Sequence, residues 1–160
     1  MVVTEGAGMP ALANRATSVT LVVMLVFSVL SCMAGAILGI AANGAGVPLS
    51  YLEGSPFTSY ALPGLILGVV VGGTQLAGAI AVLASHPAGM LLSAIAGFGM
   101  IVWIFVELAV MEQYFWMQSL YFILGIAELA AVLALSGIAP RVVAPWKPAQ
   151  HIRLESRNAR

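Results

Sequence analysis

Two glutamates inside apolar sequence are the residues best suited to chemistry in this chain. Glu128 and Glu107 lie in long stretches that contain no Lys or Arg to pair with them. A carboxylate at the centre of a bilayer costs at least about 2.5–3.5 kcal/mol, so we expect Glu128 to be neutral at pH 7. The predicted partners are Gln75, which lies nearly level with Glu128 at roughly 16–18 Å down its own helix, and Tyr121, about two turns away on the same helix.

The same glutamates also permit a functional interpretation. An ionisable residue deep in a membrane is a candidate for function. Glu128 and Glu107 are predicted to lie on facing helices, offset by roughly 8 Å in depth, where they could belong to a proton path or a cation-binding cavity. Two alternatives remain beside this one: a purely structural role, and an interface to another membrane protein.

The remaining residue types disfavour most other chemistry. Lys147 is the only lysine, so a Gly-rich phosphate-binding loop that ends in Lys-Ser/Thr cannot form. His86 and His151 make no metal-ligand cluster, and Cys32 has no second cysteine to pair with. Six Lys and Arg residues balance six glutamates, which argues against binding of nucleic acid. We therefore predict no catalytic residue, no cofactor and no metal.

The elements that must position these glutamates are transmembrane helices. Of the 160 residues, 61% are hydrophobic and 8% are charged, against about 45–50% and about 25% in soluble domains. One span needs about 20 apolar residues, which leaves room for four spans with short connections. The predicted helices cover residues 17–42, 63–83, 88–112 and 117–138.

A cleaved lipoprotein signal is the alternative for the first apolar stretch, because Val29-Leu30-Ser31 precedes Cys32. We favour a helix, since apolar sequence continues well beyond Cys32 and a signal core is usually only about 7–15 residues long.

The distribution of positive charge predicts the orientation. Residues 1–16 contain Arg15, and residues 139–160 form a basic tail with the other five Lys and Arg residues. Positive charge near helix ends stays in the cytoplasm. The sequence therefore predicts an all-α membrane protein, a four-transmembrane-helix antiparallel bundle with both termini cytoplasmic. The basic tail either serves only this topology or also contacts anionic lipid or a cytoplasmic partner.

Small residues at helical spacing predict the faces on which the helices pack. Membrane helices associate through close packing of small residues and through hydrogen bonds. The predicted packing positions are Gly35 and Gly39 in the first helix, Gly64, Gly68 and Gly72 in the second, and Gly125 in the fourth. Packing within one chain is the simpler explanation, and oligomerisation through these faces is the alternative.

Several short motifs resemble a set of small, mainly actinobacterial, uncharacterised four-helix integral membrane proteins. They include Phe57-Thr58-Ser59-Tyr60, Pro63-Gly64-Leu65-Ile66-Leu67 and the run from Trp116 to Gly125, within roughly residues 51–135. The resemblance implies four spans and a bacterial plasma (inner) membrane location. It implies no substrate and no catalytic residue.

The sequence favours a small polytopic membrane protein without enzymatic chemistry, acting as an accessory or stabilising subunit of a larger membrane assembly. Its expected partners are the lipid bilayer and either another membrane protein or further copies of itself. The alternative is a minimal oligomeric transporter or proton-linked channel that uses Glu128 and Glu107. An enzyme is the least favoured class, because only scattered Ser and Glu residues are present.

Overall fold

Four long helices make up most of the chain. The computed structural model describes residues 8–137, and of their side chains those of residues 14–137. The helices are α1 (Gly8–Ala42), α2 (Ala61–Leu83), α3 (Gly89–Met111) and α4 (Trp116–Leu135). Each is long and apolar enough to cross a membrane, so the described part of the chain is an all-helical bundle of the multi-pass membrane type.

The helix bounds differ from the predicted ones mainly at the start of α1. The helix begins at Gly8 rather than at residue 17, because the helix can extend through small, weakly polar residues that carry no hydropathy signal. The second helix begins two residues before Pro63, where proline is tolerated because the first turn lacks partners for its N–H groups. The last helix ends at Leu135, and the basic tail with Arg141 and Lys147 lies outside the described residues.

The helices close into a ring. Each helix packs on the next one along the chain, and α1 also packs on α4. On α1 the buried positions follow one helical face, and they are Leu21, Leu25, Ser28, Cys32, Ala36 and Gly39. The other faces of the bundle expose large aliphatic and aromatic side chains, as lipid contact requires.

A change of winding lies inside α2. Residues Ala61–Ile66 and Gly72–Leu83 are α-helical, while Leu67–Val71 form a π-helical turn. In an α-helix, a step of four residues overshoots a full turn by about 40°. The wider π turn counteracts that drift. It thereby helps Gly64, Gly68 and Gly72 to face one helix, α1.

These glycines bring the backbones of α1 and α2 close together. A Cβ atom at Gly68 would lie 2.7 Å from Ala36 Cβ, and one at Gly39 would lie 3.1 Å from Gly64 Cα. The predicted packing positions on α1 and α2 therefore meet one another within this chain. Gly35 also belongs to this contact, since its Cβ would lie 2.8 Å from a methyl group of Leu67.

The connection between α1 and α2 is tied down by Tyr60. Its backbone N–H donates to Asn43 Oδ1 at 2.9 Å, and its hydroxyl donates to the Pro48 carbonyl oxygen at 2.8 Å. Burial raises the pKa of the Tyr60 phenol, with a smaller contribution from Tyr51, so the phenol stays protonated and can donate. Gly44 has a φ of 91° and leaves no room for a side chain against the Tyr60 ring.

Candidate functional site

Glu128 is completely buried and both of its carboxyl oxygens are hydrogen-bonded. Ser28 Oγ donates to Oε1 at 3.0 Å, and Gln75 Nε2 donates to Oε2 at 3.0 Å. All three residues are 0% exposed. A hydroxyl is both donor and acceptor, so the 3.0 Å contact with Ser28 also suits a protonated carboxyl. Neutral side chains thus surround the group that the sequence places deepest in the membrane.

This arrangement joins all four helices. Ser28 lies on α1, Gln75 on α2 and Glu128 on α4, while Gln75 Nε2 also donates to the carbonyl oxygen of Ala96 on α3 at 3.3 Å. We call these four groups the four-helix node. Two oxygens in this interior, Gln75 Oε1 and Ser93 Oγ, have no hydrogen-bond partner among the described residues.

Two glycines hold α3 and α4 together beside the node. A Cβ at Gly97 would lie 3.0 Å from the Gly125 carbonyl oxygen and 3.2 Å from Glu128 Cβ. A Cβ at Gly125 would lie 2.9 Å from the Gly97 carbonyl oxygen. The carboxyl group is therefore positioned by a contact between two backbones.

Tyr121 lies apart from the node. No hydrogen bond joins it to Glu128 among the described residues, and its ring stacks on Phe27 with centroids 6.4 Å apart. Ser28 takes the place that sequence reasoning gave to Tyr121. Ser28 is not among the residues that the sequence analysis singles out, and its depth in α1, nearly level with Gln75, is the signal that could have identified it.

Glu107 lies in a different environment from Glu128. It is half-buried and lines a cavity of about 510 Å³ between the four helices, which Glu128 does not line. The wall is almost entirely apolar and includes Cys32, Met100, Trp103 and Tyr121. The carboxyl group of Glu107 interacts with the side chains of Gln118 and Trp103. The two glutamates that sequence reasoning paired therefore belong to two separate sites.

A second cavity of about 420 Å³ lies between α2 and α3, beneath the α1–α2 connection. Trp103 and Glu107 line this cavity as well as the first. These two side chains, one turn apart on α3, therefore lie in the wall between the two cavities.

Charge is unevenly distributed along the bundle. The α1–α2 connection and the α3–α4 connection meet at one end, where the rings of Tyr51 and Phe115 lie 6.1 Å apart. We call this the acidic end, because it carries Glu53, Glu107 and Glu112. The basic side chains of the described residues, Arg15 and His86, lie at the start of α1 and in the α2–α3 turn, away from this end.

At the α2–α3 turn, His86 Nδ1 accepts a hydrogen bond from the Ala88 N–H at 3.2 Å. The described residues contain no group of three or more His, Cys, Asp or Glu side chains arranged to hold a metal ion.

Comparisons with family models, with curated proteins and with solved structures give no match for this chain. The resemblance to small four-helix proteins of actinobacteria stays a prediction. Function has to be argued from the two sites alone.

Proposed function

We propose that this protein is an accessory or stabilising subunit of a larger membrane assembly and performs no catalytic chemistry itself. The observation that carries the proposal is the four-helix node. Glu128, the deepest ionisable group, has both oxygens bonded to neutral side chains that are fully buried. In that position the carboxyl group links helices. The surface left for partners is the lateral, lipid-facing one.

The proposed subunit is a bacterial plasma-membrane protein, an antiparallel bundle with both termini in the cytoplasm. Contacts between α1 and α2 support the antiparallel arrangement, because Gly39 approaches Gly64 while Cys32 approaches Gly72. The excess of Lys and Arg in the terminal segments supports the orientation. Reporter fusions near Ser55 and at Arg160 should report opposite sides of the membrane, and a common side would contradict the four-span topology.

Two measurements test the subunit proposal. Purification in mild detergent should yield a co-migrating membrane protein in fixed stoichiometry, and loss of this chain from the cell should lower the abundance of that partner. A homo-oligomer is the other expected association. A bundle that sediments as a monomer, with no stoichiometric partner, would overturn the proposal. Binding of the basic tail to anionic lipid is a separate proposal, tested by sedimentation of a peptide of residues 139–160 with anionic and with neutral vesicles.

A minimal oligomeric transporter or proton-linked channel is the second candidate. The observation that favours it is Glu107, an ionisable side chain in the wall shared by two cavities. Proton flux into proteoliposomes distinguishes the candidates when wild type, Glu128→Gln and Glu107→Gln are compared. Proton flux that is present in the wild type and disappears in either variant would contradict the subunit proposal and favour the transporter. Equal background rates in all three proteins would exclude proton transport through these carboxyl groups.

A further inference from the structure

The larger of the two cavities described above, at the acidic end, has the chemistry of a binding site for a small ligand. Its volume of about 510 Å³ is within the usual range of about 300–1,000 Å³ for ligand pockets, which are mostly apolar with a few polar groups. In this cavity the wall is apolar, and Glu107 provides an acidic group beside the aromatic rings of Trp103 and Tyr121.

The charges around the cavity select a positively charged ligand. The acidic end also carries Glu53 and Glu112, which are exposed and lie outside the cavity wall. No Lys, Arg or His side chain of the described residues lies at this end to neutralise them. A protein surface that carries one sign of charge raises the local concentration of ions of the opposite sign.

The aromatic residues favour the same class of ligand. A cation near the face of a Trp or Tyr ring is attracted by the electrons of that ring. Trp103 lies one helical turn from Glu107, so a bound cation can meet the ring and the carboxylate together. Met100 and Cys32 supply apolar surface for the remainder of the ligand.

We propose that this cavity binds a lipophilic monocation, with the cationic centre at Glu107 and the apolar body against Trp103, Met100 and Tyr121. A small hydrated ion does not fit this wall, because it would exchange its hydration shell for apolar surface. A neutral lipid chain would place hydrocarbon against the carboxyl group of Glu107 and give that group no polar partner. The proposal does not depend on the subunit function, since a binding site of this kind can regulate an assembly or load a carrier.

The test uses tetraphenylphosphonium as the probe and tetraphenylborate as a control of the same shape and opposite charge. Binding to the purified full chain in lipid nanodiscs is measured by equilibrium dialysis, with empty nanodiscs subtracted. We expect saturable, one-site binding of the cation and none of the anion. Saturable binding of both ions, or of neither, would overturn the proposal without the use of any variant.

Two isosteric variants then locate the site. Glu107→Gln removes the group that can become negatively charged beside a bound cation, and it should weaken binding of the cation about tenfold or more, because a partly desolvated charge pair is strong. Glu112→Gln removes an exposed charge at the same end, outside the cavity wall, and should change the affinity less than about threefold. Thermal unfolding first establishes that both proteins are folded. Equal affinities of wild type and Glu107→Gln would then show that the cation does not bind in this cavity.

Discussion

The crossing of α3 and α4 gives a stability prediction whose size can be worked out from distances. In Gly97→Ala, the new methyl group would lie 3.0 Å from the Gly125 carbonyl oxygen and 3.2 Å from Glu128 Cβ. Backbone atoms cannot rotate away as a side chain can, so the two helices must separate. Overpacking of this kind costs about 1–3 kcal/mol, and the better helix propensity of Ala returns at most about 1 kcal/mol. We expect a net loss of up to about 2 kcal/mol in the free energy of unfolding.

Gly73→Ala is the matched control. It makes the same chemical change inside a membrane-spanning helix, but a Cβ at Gly73 would meet nothing within 4 Å. Helix propensity then acts alone, and stability should stay equal or rise by up to about 1 kcal/mol. Gly97→Ala combined with Gly125→Ala should cost less than the sum of the two single changes, because the first methyl group already separates the helices.

Thermal unfolding in mild detergent, followed by size-exclusion chromatography of the heated samples, measures this difference. A change of 1 kcal/mol corresponds to a shift of roughly 2–8 °C in melting temperature for domains of about 60–250 residues. The Gly97→Ala protein should therefore melt several degrees below the Gly73→Ala protein. A melting temperature of Gly97→Ala at or above that of Gly73→Ala would refute the close crossing of α3 and α4.

Three further changes test other parts of the bundle. Gly68→Leu should lower the melting temperature in detergent, because even its Cβ would lie 2.7 Å from Ala36 Cβ; an unchanged profile would contradict the packing of α1 on α2. Glu128→Gln should keep stability within about 1 kcal/mol, whereas Glu128→Ala should lose about 2–5 kcal/mol by leaving two buried donors unpaired; equal losses would contradict the node. Tyr60→Phe should lower the free energy of unfolding by about 1 kcal/mol and speed hydrogen exchange in the α1–α2 connection; unchanged exchange would mean that the hydrogen bond to Pro48 does not stabilise this connection.

Hydropathy and spacing predict much of this fold. Four apolar stretches give the four helices, and the glycine spacing in α2 gives the face that meets α1. The start of α1 cannot be predicted in this way, because its residues give no hydropathy signal and helix propensity alone is weak evidence. The π turn at Leu67–Val71 escapes it too, since nothing in a run of Leu, Gly and Val encodes a wider turn.

The candidate sites, like the fold, are predicted only in part from the sequence. Depth counting brings Gln75 level with Glu128, and their side chains are hydrogen-bonded. Depth alone does not give the rotation of one helix about its axis relative to another. That rotation decides that Ser28 of α1 reaches the carboxyl group and that Glu107 lines cavities which Glu128 does not line. Tyr121 precedes Glu128 by seven residues on the same helix, about 10 Å along its axis, and its side chain tilts away from Glu128 toward the helix N-terminus. Cavities arise from the shapes of several helices together, so no single helix pattern indicates them.

The four-helix node has a consequence for the order in which the protein is made. Ser28 and Gln75 leave the ribosome before Glu128, the residue that accepts a hydrogen bond from each of them. Roughly 50 residues separate Gln75 from Glu128, which takes about 3–10 s to synthesise at about 5–20 residues per second. During that time α1 and α2 carry polar side chains whose carboxyl partner does not yet exist. A chain that stops before α4 would thus display unpaired polar groups within the membrane, a signal by which a quality-control protease can distinguish unfinished copies from complete ones.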